Sequence, residues 1–356
     1  MAPLIKEFQK HTEFFKVKVC LTGQHQQMTE QINQFFNIRA DFNLNIMTHN
    51  QTLFDITSRC LLGLKNILDD SFDLVFVQGD TTSVMAGALA AFYKNISVAH
   101  IEAGLRTGNK RSPFPEEMNR IIAGHIADYH FAPTDRAVEN LKNEGITRNV
   151  YMVGNTVIDA LHLGLSIIKA DKELKYYDFF SYLDFSKKII LTTGHRRESF
   201  GDGFENICSA IASIAGQYKD VQFVYPMHLN PNVREPVNRI LKKIENVFLI
   251  EPLDYPFLIW IMNKAYFILT DSGGIQEEAP ALAKPVLVLR KVTERQEGID
   301  AGTSKLVGTE YEDIVAGIRT LLEDELVYNN MASAVNPYGD GNTSCKIIDI
   351  VTENFK

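Results

Sequence analysis

Short apolar runs alternate with helical segments along most of this chain, and this alternation limits its possible folds more than any other feature. The predicted strands lie at 17–22, 74–77, 96–101, 129–132, 150–153, 188–193, 221–226, 247–250, 265–269 and 285–289. Most of these runs are followed by residues with the apolar spacing of a helix. Alternating strands and helices are typical of parallel sheets covered by helices on both faces. We therefore predict an α/β fold.

The alternation pauses near residue 153 and begins again at 188, so the chain divides into two similar halves. A chain of 356 residues also exceeds the roughly 250–300 residues that one hydrophobic core usually supports. Between the halves, the charged and aromatic segment 169–187 has no clear period and is predicted to be a linker or surface insertion. We predict two Rossmann-like domains, whose ligands bind at the carboxyl ends of the strands.

Composition excludes several classes of partner. The net charge is −8 and there is no block of Lys or Arg, so we do not expect nucleic acid binding. The four cysteines are far apart and lack the spacing of metal ligands, which predicts no metal and reduced thiols in a cytoplasmic protein. No apolar run reaches the roughly 18 residues that a membrane span requires.

The stretch LTDSGGIQEEAP at 269–280 follows a predicted buried strand. Gly273 and Gly274 allow a ligand to approach the backbone, Ser272 can donate a hydroxyl, and the first amides of a helix attract an anion. Glu278 follows about one turn later and can accept hydrogen bonds from a ribose. The stretch therefore predicts a site for the diphosphate and ribose of a nucleotide. An ordinary turn with Asp or Ser as helix cap explains this stretch alone equally well.

Acidic and basic side chains follow other predicted strands. Asp80, Glu102 and Glu116 lie in the first half, where neighbouring carboxylates can exchange protons. In the second half, His195 stands in TGHRRE and can hold a diphosphate or donate a proton. Taken singly, Asp80 can instead be a helix cap, Glu116 an acid of a first helical turn, and the His-Arg run a solvated charge cluster. Together they suit either sugar transfer from a nucleotide-sugar or acid–base chemistry on its sugar.

Eight motifs in order carry a family resemblance. They are QGDTTS at 78–83, HIEAGLRTG at 100–108, SPFPEEMNR at 112–120, GNTVIDAL at 154–161, GHRRESFG at 194–201, HLNPNVREP at 228–236, DSGGIQEEAP at 271–280 and TERQEG at 293–298. Through them the chain resembles the non-hydrolysing bacterial UDP-N-acetylglucosamine 2-epimerases. The resemblance implies a GT-B-like fold of two Rossmann-like domains with an interdomain cleft. It places the N-terminal domain at 1–155 plus about 340–356, and the UDP-binding domain at 156–339.

The resemblance also implies an activity and its residues. The expected reaction is reversible C2 epimerisation of UDP-N-acetylglucosamine to UDP-N-acetylmannosamine, by elimination and re-addition of UDP, for cell-surface polysaccharide precursors. No metal or other cofactor is expected. The positions that match the acid–base set are Asp80, Glu102, Glu116 and His195. The positions that match UDP contacts are His195, Ser272, Gly273, Gly274, Glu278 and Arg295, with the uracil near Leu253 and Leu258.

A homodimer and a second, regulatory UDP-N-acetylglucosamine molecule are further implications of the resemblance. The positions that match the regulatory contacts are Gln24, Gln27, Glu117, Arg196 and His228. Asn50 stands where some relatives have arginine, which weakens the case for regulation.

Two departures from the family keep alternatives open. The chain begins at the MAPL motif, so the first strand and a basic loop of the family are absent from it. We expect a version with roughly 15 more N-terminal residues to be more active. TERQEG stands where TERPEA is commoner, which leaves a related UDP-2-acetamido sugar as an alternative substrate. A GT-B glycosyltransferase and a nucleotide-sugar-binding protein without turnover are the remaining alternatives.

Overall fold

A computed structural model of the chain describes residues 1–24 and 26–355, and the side chains of 26–28 lie outside that description. The chain forms two compact units, 1–160 with 338–356 and 161–337. In both units strands alternate with helices, and every strand pair is parallel. The predicted α/β class is confirmed. Among the described residues, no helix combines the length and apolar character needed to cross a membrane.

The second unit is built on a six-stranded parallel sheet in the order β9-β8-β7-β10-β11-β12. Its strands are β7 (Lys188–Thr193), β8 (Val221–Pro226), β9 (Val247–Ile250), β10 (Phe267–Thr270), β11 (Val286–Val288) and β12 (Ser304–Leu306). Connections run outward from β7 on one side and from β10 on the other. The strand order therefore reverses between β7 and β10, and such a reversal leaves a crevice at the carboxyl ends of the two strands.

The long helices of this unit cover the sheet with apolar faces. In α9 (Asp202–Gln217) the buried residues recur at helical spacing, as at Phe204, Ile207 and Ile211. They join one core cluster with α10 (Pro231–Leu241), α14 (Tyr311–Glu323) and the strands. The remaining helices of this unit are α8 (Leu174–Phe179), α11 (Tyr255–Lys264), α12 (Gly273–Glu278), α13 (Gln296–Asp300) and α15 (Glu325–Ser333).

The interpretation of 169–187 as a linker or surface insertion is wrong. The segment contains α8, and Tyr176 and Phe180 are buried in an aromatic cluster. Their rings stack with Trp260 at centroid distances of 5.9 and 5.3 Å, respectively. A helix of six residues is too short to show a period, and Trp260 is far away in sequence. The local sequence pattern therefore does not reveal the packing that orders this segment.

The first unit contains two separate parallel sheets. Its strands are β1 (Cys20–Leu21), β2 (Phe42–Asn43), β3 (Leu74–Gln78), β4 (Ser97–Ile101), β5 (Tyr129–Ala132) and β6 (Val150–Met152). β1 pairs with β2, and β3 to β6 form a second sheet in sequence order. Among the described residues no hydrogen-bonded strand pair joins the two sheets. The helices are α1 (Ala2–Phe8), α2 (Gln26–Phe35), α3 (Leu53–Lys65), α4 (Thr82–Tyr93), α5 (Glu116–Ile126), α6 (Asp135–Asn143) and α16 (Thr343–Asn354), and α7 (Thr156–Ala170) contains the boundary between units.

The C-terminal helix α16 belongs to the first unit. Its residues Ile347 and Val351 lie in one core cluster with Leu4 of α1 and the strands β4 and β5. Asp159, in the motif GNTVIDAL, accepts hydrogen bonds from the backbone amides of Thr343 and Ser344 at 3.2 and 2.7 Å. Asp159 thereby satisfies the first amides of α16 in place of an N-cap side chain.

Candidate active site

In the first unit, Asp80 and Glu102 lie at the same edge of the sheet. They follow β3 and β4, which pair with Gln78 opposite Ile101. The amide of Gly79 donates to the carbonyl of Ile101 at 3.1 Å, which continues the pairing to the ends of both strands. A methyl group at Gly79 would lie 3.5 Å from Glu102 Oε2. The pairing of parallel strands therefore brings these two half-buried residues to the same end of the sheet.

The loop after β4 holds Glu102 in an uncommon backbone conformation. Glu102 has φ +64°, in the left-handed region that L residues adopt only at a cost of about 1–2 kcal/mol. Such strain persists where the surroundings enforce it, and it is concentrated at functional sites. Two residues later, Gly104 has φ +86°, and a Cβ there would lie 2.2 Å from the carbonyl oxygen of Ala137. The loop is therefore packed directly against the backbone of α6.

The helix α5 supplies the partners of Asp80. Arg120 forms an ion pair with the Asp80 carboxylate, and its Nη1 donates to Glu117 Oε2 at 3.2 Å. Asn119 Nδ2 donates to the backbone carbonyl of Asp80 at 2.9 Å. Glu116 is half-buried in the first turn of the same helix. The helix α5 therefore positions both Glu116 and Arg120, the cation that holds Asp80.

Sequence reasoning missed Arg120 as a site residue. Its position was a usable signal, because it follows Glu116 by four residues and so lies one helical turn away on the same face.

Glu117 is almost fully buried and accepts hydrogen bonds from the amides of Thr107 and Gly108 at 3.0 and 2.9 Å. In this structure Glu117 thus holds the loop 107–108 and Arg120.

In the second unit, His195 and Asp271 lie where the strand order reverses. His195 follows β7, and Asp271 follows β10. Asp271 Oδ2 accepts hydrogen bonds from the backbone amides of His195 and Arg196 at 2.7 and 2.8 Å. Asp271 Oδ1 lies 3.2 Å from His195 Nδ1. The two strand ends are therefore joined through one carboxylate.

Asp271 is buried and still anionic. Burial raises the pKa of its carboxyl group, but the nearby His195 ring and the backbone amide of Arg196 lower it more, so the pKa stays below its usual value. The alternative interpretation of this stretch as a helix cap holds for the position of Ser272 but not for a capping hydrogen bond. Ser272 takes the N-cap position of α12 without a capping hydrogen bond from its side chain, and Asp271 bonds back toward β7.

Two residues predicted as regulatory surround His195. The exposed ring of His228 stacks on the ring of His195, with centroids 5.5 Å apart and planes at 21°. His228 Nδ1 accepts a hydrogen bond from the amide of Asn230 at 3.1 Å, so this nitrogen carries no proton. Arg196 follows His195 directly, and its backbone amide donates to the same Oδ2 of Asp271 as the amide of His195 does.

The start of α12 is lined by a guanidinium group. Arg295 Nε donates to Glu277 Oε1 at 2.6 Å, and a Cβ at Gly273 would lie 3.4 Å from Arg295 Cζ. Glycine at 273 therefore allows the guanidinium to lie against the backbone. Ser272, Gly273 and Gly274 form the same turn, so a hydroxyl, amides and a cation meet there. This is the donor set that phosphate groups bind.

Glu278 lies at the end of α12 and is buried. The Tyr255 hydroxyl donates to Glu278 Oε1 at 3.2 Å. Burial raises the pKa of Glu278 to about 8, the hydrogen bond from Tyr255 opposes this shift, and the charge of Glu277 adds to it. The half-buried Leu253 and Leu258, predicted near the uracil, flank Tyr255 in sequence at the start of α11.

The predicted regulatory residues of the first unit lie at different places. Gln24 Oε1 accepts a hydrogen bond from the Ser83 hydroxyl of α4 at 2.5 Å. Glu117 is the buried loop holder described above. The side chain of Gln27 and the whole of His25 lie outside the described residues.

The contact of Gly104 with α6 gives a direct test of the loop that carries Glu102. Gly104→Ala combines a strained φ with a clash against the Ala137 backbone, whereas Gly108→Ala, at φ +74°, meets no atom within 4 Å. We expect Gly104→Ala to lower the stability of the first unit by at least about 2 kcal/mol more than Gly108→Ala does. Urea unfolding midpoints of the two variants measure this difference. Equal midpoints would contradict the close packing of the loop.

The chain resembles known proteins over its full length. Residues 6–352 match the family model described as UDP-N-acetylglucosamine 2-epimerase. The chain is 53% identical to the UDP-N-acetylglucosamine 2-epimerase of Salmonella typhimurium, over 98% of this chain and 93% of that protein. Its identity to the enzyme of the same name from Escherichia coli is 51%, over 99% and 95% of the two chains.

Solved structures show the same relationship. The crystal structure of UDP-GlcNAc 2-epimerase from Neisseria meningitidis bound to UDP-GlcNAc has a TM-score of 0.90 and 47% identity, over 99% of this chain and 96% of that one. A sucrose-phosphate synthase from Thermosynechococcus elongatus, with a TM-score of 0.57 and 13% identity over 87% and 81% of the chains, shares only the GT-B type of fold. The sequence and structural matches together show that this chain belongs to the UDP-N-acetylglucosamine 2-epimerase family.

Proposed function

We propose that this protein is an isomerase that interconverts UDP-N-acetylglucosamine and UDP-N-acetylmannosamine by inverting C2 of the sugar. The observation that carries the proposal is the identity of about half of all residues, over nearly the full length, to enzymes named for this reaction. The polar groups at the strand ends supply the chemistry that the reaction requires. We assign proton transfer to the first unit and UDP binding to the second.

The first half of the reaction is an elimination. A carboxylate removes the C2 proton, the electron pair of the C2–H bond forms the C1=C2 double bond, and the electron pair of the C1–O bond leaves with UDP. The products are UDP and 2-acetamidoglucal. We assign the proton transfers to Asp80, Glu102 and Glu116, because carboxylates that lie close together can pass a proton between neutral and anionic forms. Arg120 holds the Asp80 carboxylate in one orientation.

The departing UDP gains negative charge on its β-phosphate, and groups of the second unit can stabilise that charge. Arg295 and the amides at Ser272, Gly273 and Gly274 suit the diphosphate, and His195 suits the oxygen that leaves C1. Re-addition of UDP to C1 and return of a proton to the opposite face of C2 complete the inversion. We place the ribose on Glu278 and the uracil near Leu253 and Leu258.

Proton exchange with solvent tests this proposal. Incubation with UDP-N-acetylglucosamine in D₂O should give UDP-N-acetylmannosamine with deuterium at C2, since the removed proton is lost to the solvent. Proton NMR follows both the product and the label. We expect Asp80→Asn to lower the rate at least about 100-fold, as loss of an acid–base group usually does. Asp70→Asn, at an exposed position, is the matched control.

The outcomes separate the alternatives. Transfer of the sugar to an acceptor without deuterium at C2 would indicate a GT-B glycosyltransferase. Binding of UDP-N-acetylglucosamine without turnover would indicate a binding protein. Turnover only of another UDP-2-acetamido sugar would indicate the related epimerase, which the sequence TERQEG leaves open.

The raised pKa of Glu278 makes substrate binding depend on pH. With a pKa of about 8, this carboxyl group is mostly neutral at pH 7 in the free protein. Hydrogen bonds from ribose hydroxyls favour the anion and lower its pKa, so binding should release close to one proton at pH 7. Affinity should then rise from pH 6 to about 8 and level off above. Calorimetry of UDP-N-acetylglucosamine binding in buffers of different ionisation enthalpy counts the released protons.

Glu278→Gln isolates this effect because it keeps the shape and removes the ionisation. The variant should bind without proton release and with a flat pH dependence between 6 and 8. Glu235→Gln, at an exposed position of α10, should behave like the original protein. Proton release that persists in Glu278→Gln would rule out this role for the carboxylate.

A homodimer formed through α3 is the second part of the proposal. Phe54 and Leu62 are 86% and 64% exposed on this helix. Phe54 and Leu61 line a shallow apolar groove with Leu53, and the spacing of 54, 58, 61 and 62 places these four positions on one helix face. Such a patch suits a second copy of the same chain, because closed twofold contacts are the commonest assembly.

Sedimentation velocity measures the assembly. Phe54→Glu places a charge at the centre of the patch and should shift the protein from dimer to monomer. Leu326→Glu changes an equally apolar residue on α15, which is 71% exposed, and should leave the dimer intact. A dimer that is unchanged by Phe54→Glu would place the contact elsewhere.

Regulation by a second UDP-N-acetylglucosamine and a cytoplasmic location complete the proposal. The contact of Arg196 and His228 with the surroundings of His195 supports regulation, because a ligand bound there reaches the catalytic ring. The exchange experiment can be run in reverse, with UDP-N-acetylmannosamine as the only substrate. If the protein is regulated, added UDP-N-acetylglucosamine should accelerate this reverse turnover. Full reverse activity without it would contradict regulation.

The four free thiols among the described residues suit the reducing cytoplasm.

A further inference from the structure

We propose that Asp271 is a positioning residue for the elimination step: it fixes the ring of His195 so that Nδ1–H points to Asp271 and Nε2 faces the departing UDP. This inference rests on the role assigned above to His195. The sequence does not predict Asp271 as a site residue. Its contacts with His195 and Arg196 in the structure are what suggest this role.

The two oxygens of Asp271 have separate tasks. Oδ2 accepts the backbone amides of His195 and Arg196, which fixes the main chain from which the His195 ring projects. Oδ1 is buried, has no hydrogen-bond partner of good geometry among the described residues, and lies 3.2 Å from His195 Nδ1. A buried carboxylate oxygen without a partner is costly. The nearby ring nitrogen provides the partner after a small rotation, as catalytic hydrogen bonds often align only when ligand binds.

The chemistry of the pair defines the state of the ring. An anionic carboxylate only accepts hydrogen bonds, so the proton of a neutral His195 belongs on Nδ1. Nε2 is then the nitrogen that exchanges a proton with the ligand, and an imidazolium that forms during the reaction has the Asp271 carboxylate as its counterion. Stacking on His228 limits rotation of the ring plane. In the elimination, the C1–O electron pair moves to the leaving oxygen of UDP, and Nε2–H of the imidazolium donates to that oxygen.

Asp271→Asn tests the pair because it keeps the acceptor for the two amides but replaces Oδ1 by an NH₂ group. That group donates toward Nδ1, which forces the ring proton onto Nε2 and disfavours the imidazolium. We expect kcat to fall about 100-fold or more, as for other buried aspartates that orient a catalytic histidine. KM should change little, because the diphosphate donors at Ser272, Gly273 and Arg295 remain.

Nitrogen NMR gives a readout that does not depend on turnover. In the ¹⁵N-labelled original protein, the His195 ring, identified by its loss in His195→Gln, should show a protonated Nδ1. Asp271→Asn should show a protonated Nε2 instead. Tyr225→Phe is the matched control, because this buried hydroxyl lies near Gly194, 3.1 Å from where a Cβ would be, and its loss should leave the ring unchanged.

The outcomes are distinct from those of the proposed function. A protein that epimerises normally, yet shows Nδ1 unprotonated or keeps its kcat in Asp271→Asn, overturns the positioning role alone. An inactive original protein overturns the proposed function, while its ring spectrum still tests the contact. If Asp271→Asn does not fold, the spectrum of the original protein decides: Nδ1 protonation supports the proposal, and Nε2 protonation in its place overturns it.

Discussion

Burial of parallel strands on both faces is the constraint on which the rest of this structure depends. In the second unit, residues such as Ile190, Leu191 and Phe267 are fully buried, so a charged side chain in the middle of the sheet would be costly unless it were paired. Polar chemistry is therefore restricted to the strand ends and the loops that follow them. The carboxyl ends of the parallel strands coincide at one edge, so residues distant in sequence become neighbours there.

The same constraint acts differently in the two units. In the first, adjacent strands β3 and β4 place Asp80 beside Glu102, and the partner cation comes from α5. In the second, reversal of the strand order between β7 and β10 places His195 beside Asp271, and Asp271 remains anionic despite its burial because it receives hydrogen bonds there. One unit thus collects carboxylates suited to proton transfer, and the other collects groups suited to an anionic leaving group.

Sequence patterns predicted the strand ends well and the contacts between them poorly. The strands 129–132, 188–193, 221–226 and 247–250 have the predicted bounds. The sequence predicts Asp80, Glu102 and His195 as site residues because each lies in the short polar segment after the end of a predicted strand. The sequence predicts Asp271 only as a turn or cap residue, because its partner His195 is 76 positions away. In the same way, Arg120 pairs with Asp80 across 40 positions. Such pairings depend on strand order, which local periodicity does not encode.

The central claim is that the C1–O bond to UDP breaks and forms again during inversion at C2. Positional isotope exchange tests it directly, with ¹⁸O placed in the oxygen that joins C1 to the β-phosphate of UDP-N-acetylglucosamine. Elimination frees that oxygen, rotation of the β-phosphate makes it equivalent to its neighbours, and re-addition returns the label partly to non-bridging positions. The account predicts scrambled label in the recovered sugar nucleotides by ³¹P NMR. Epimerised product with the label still entirely in the bridge would contradict it.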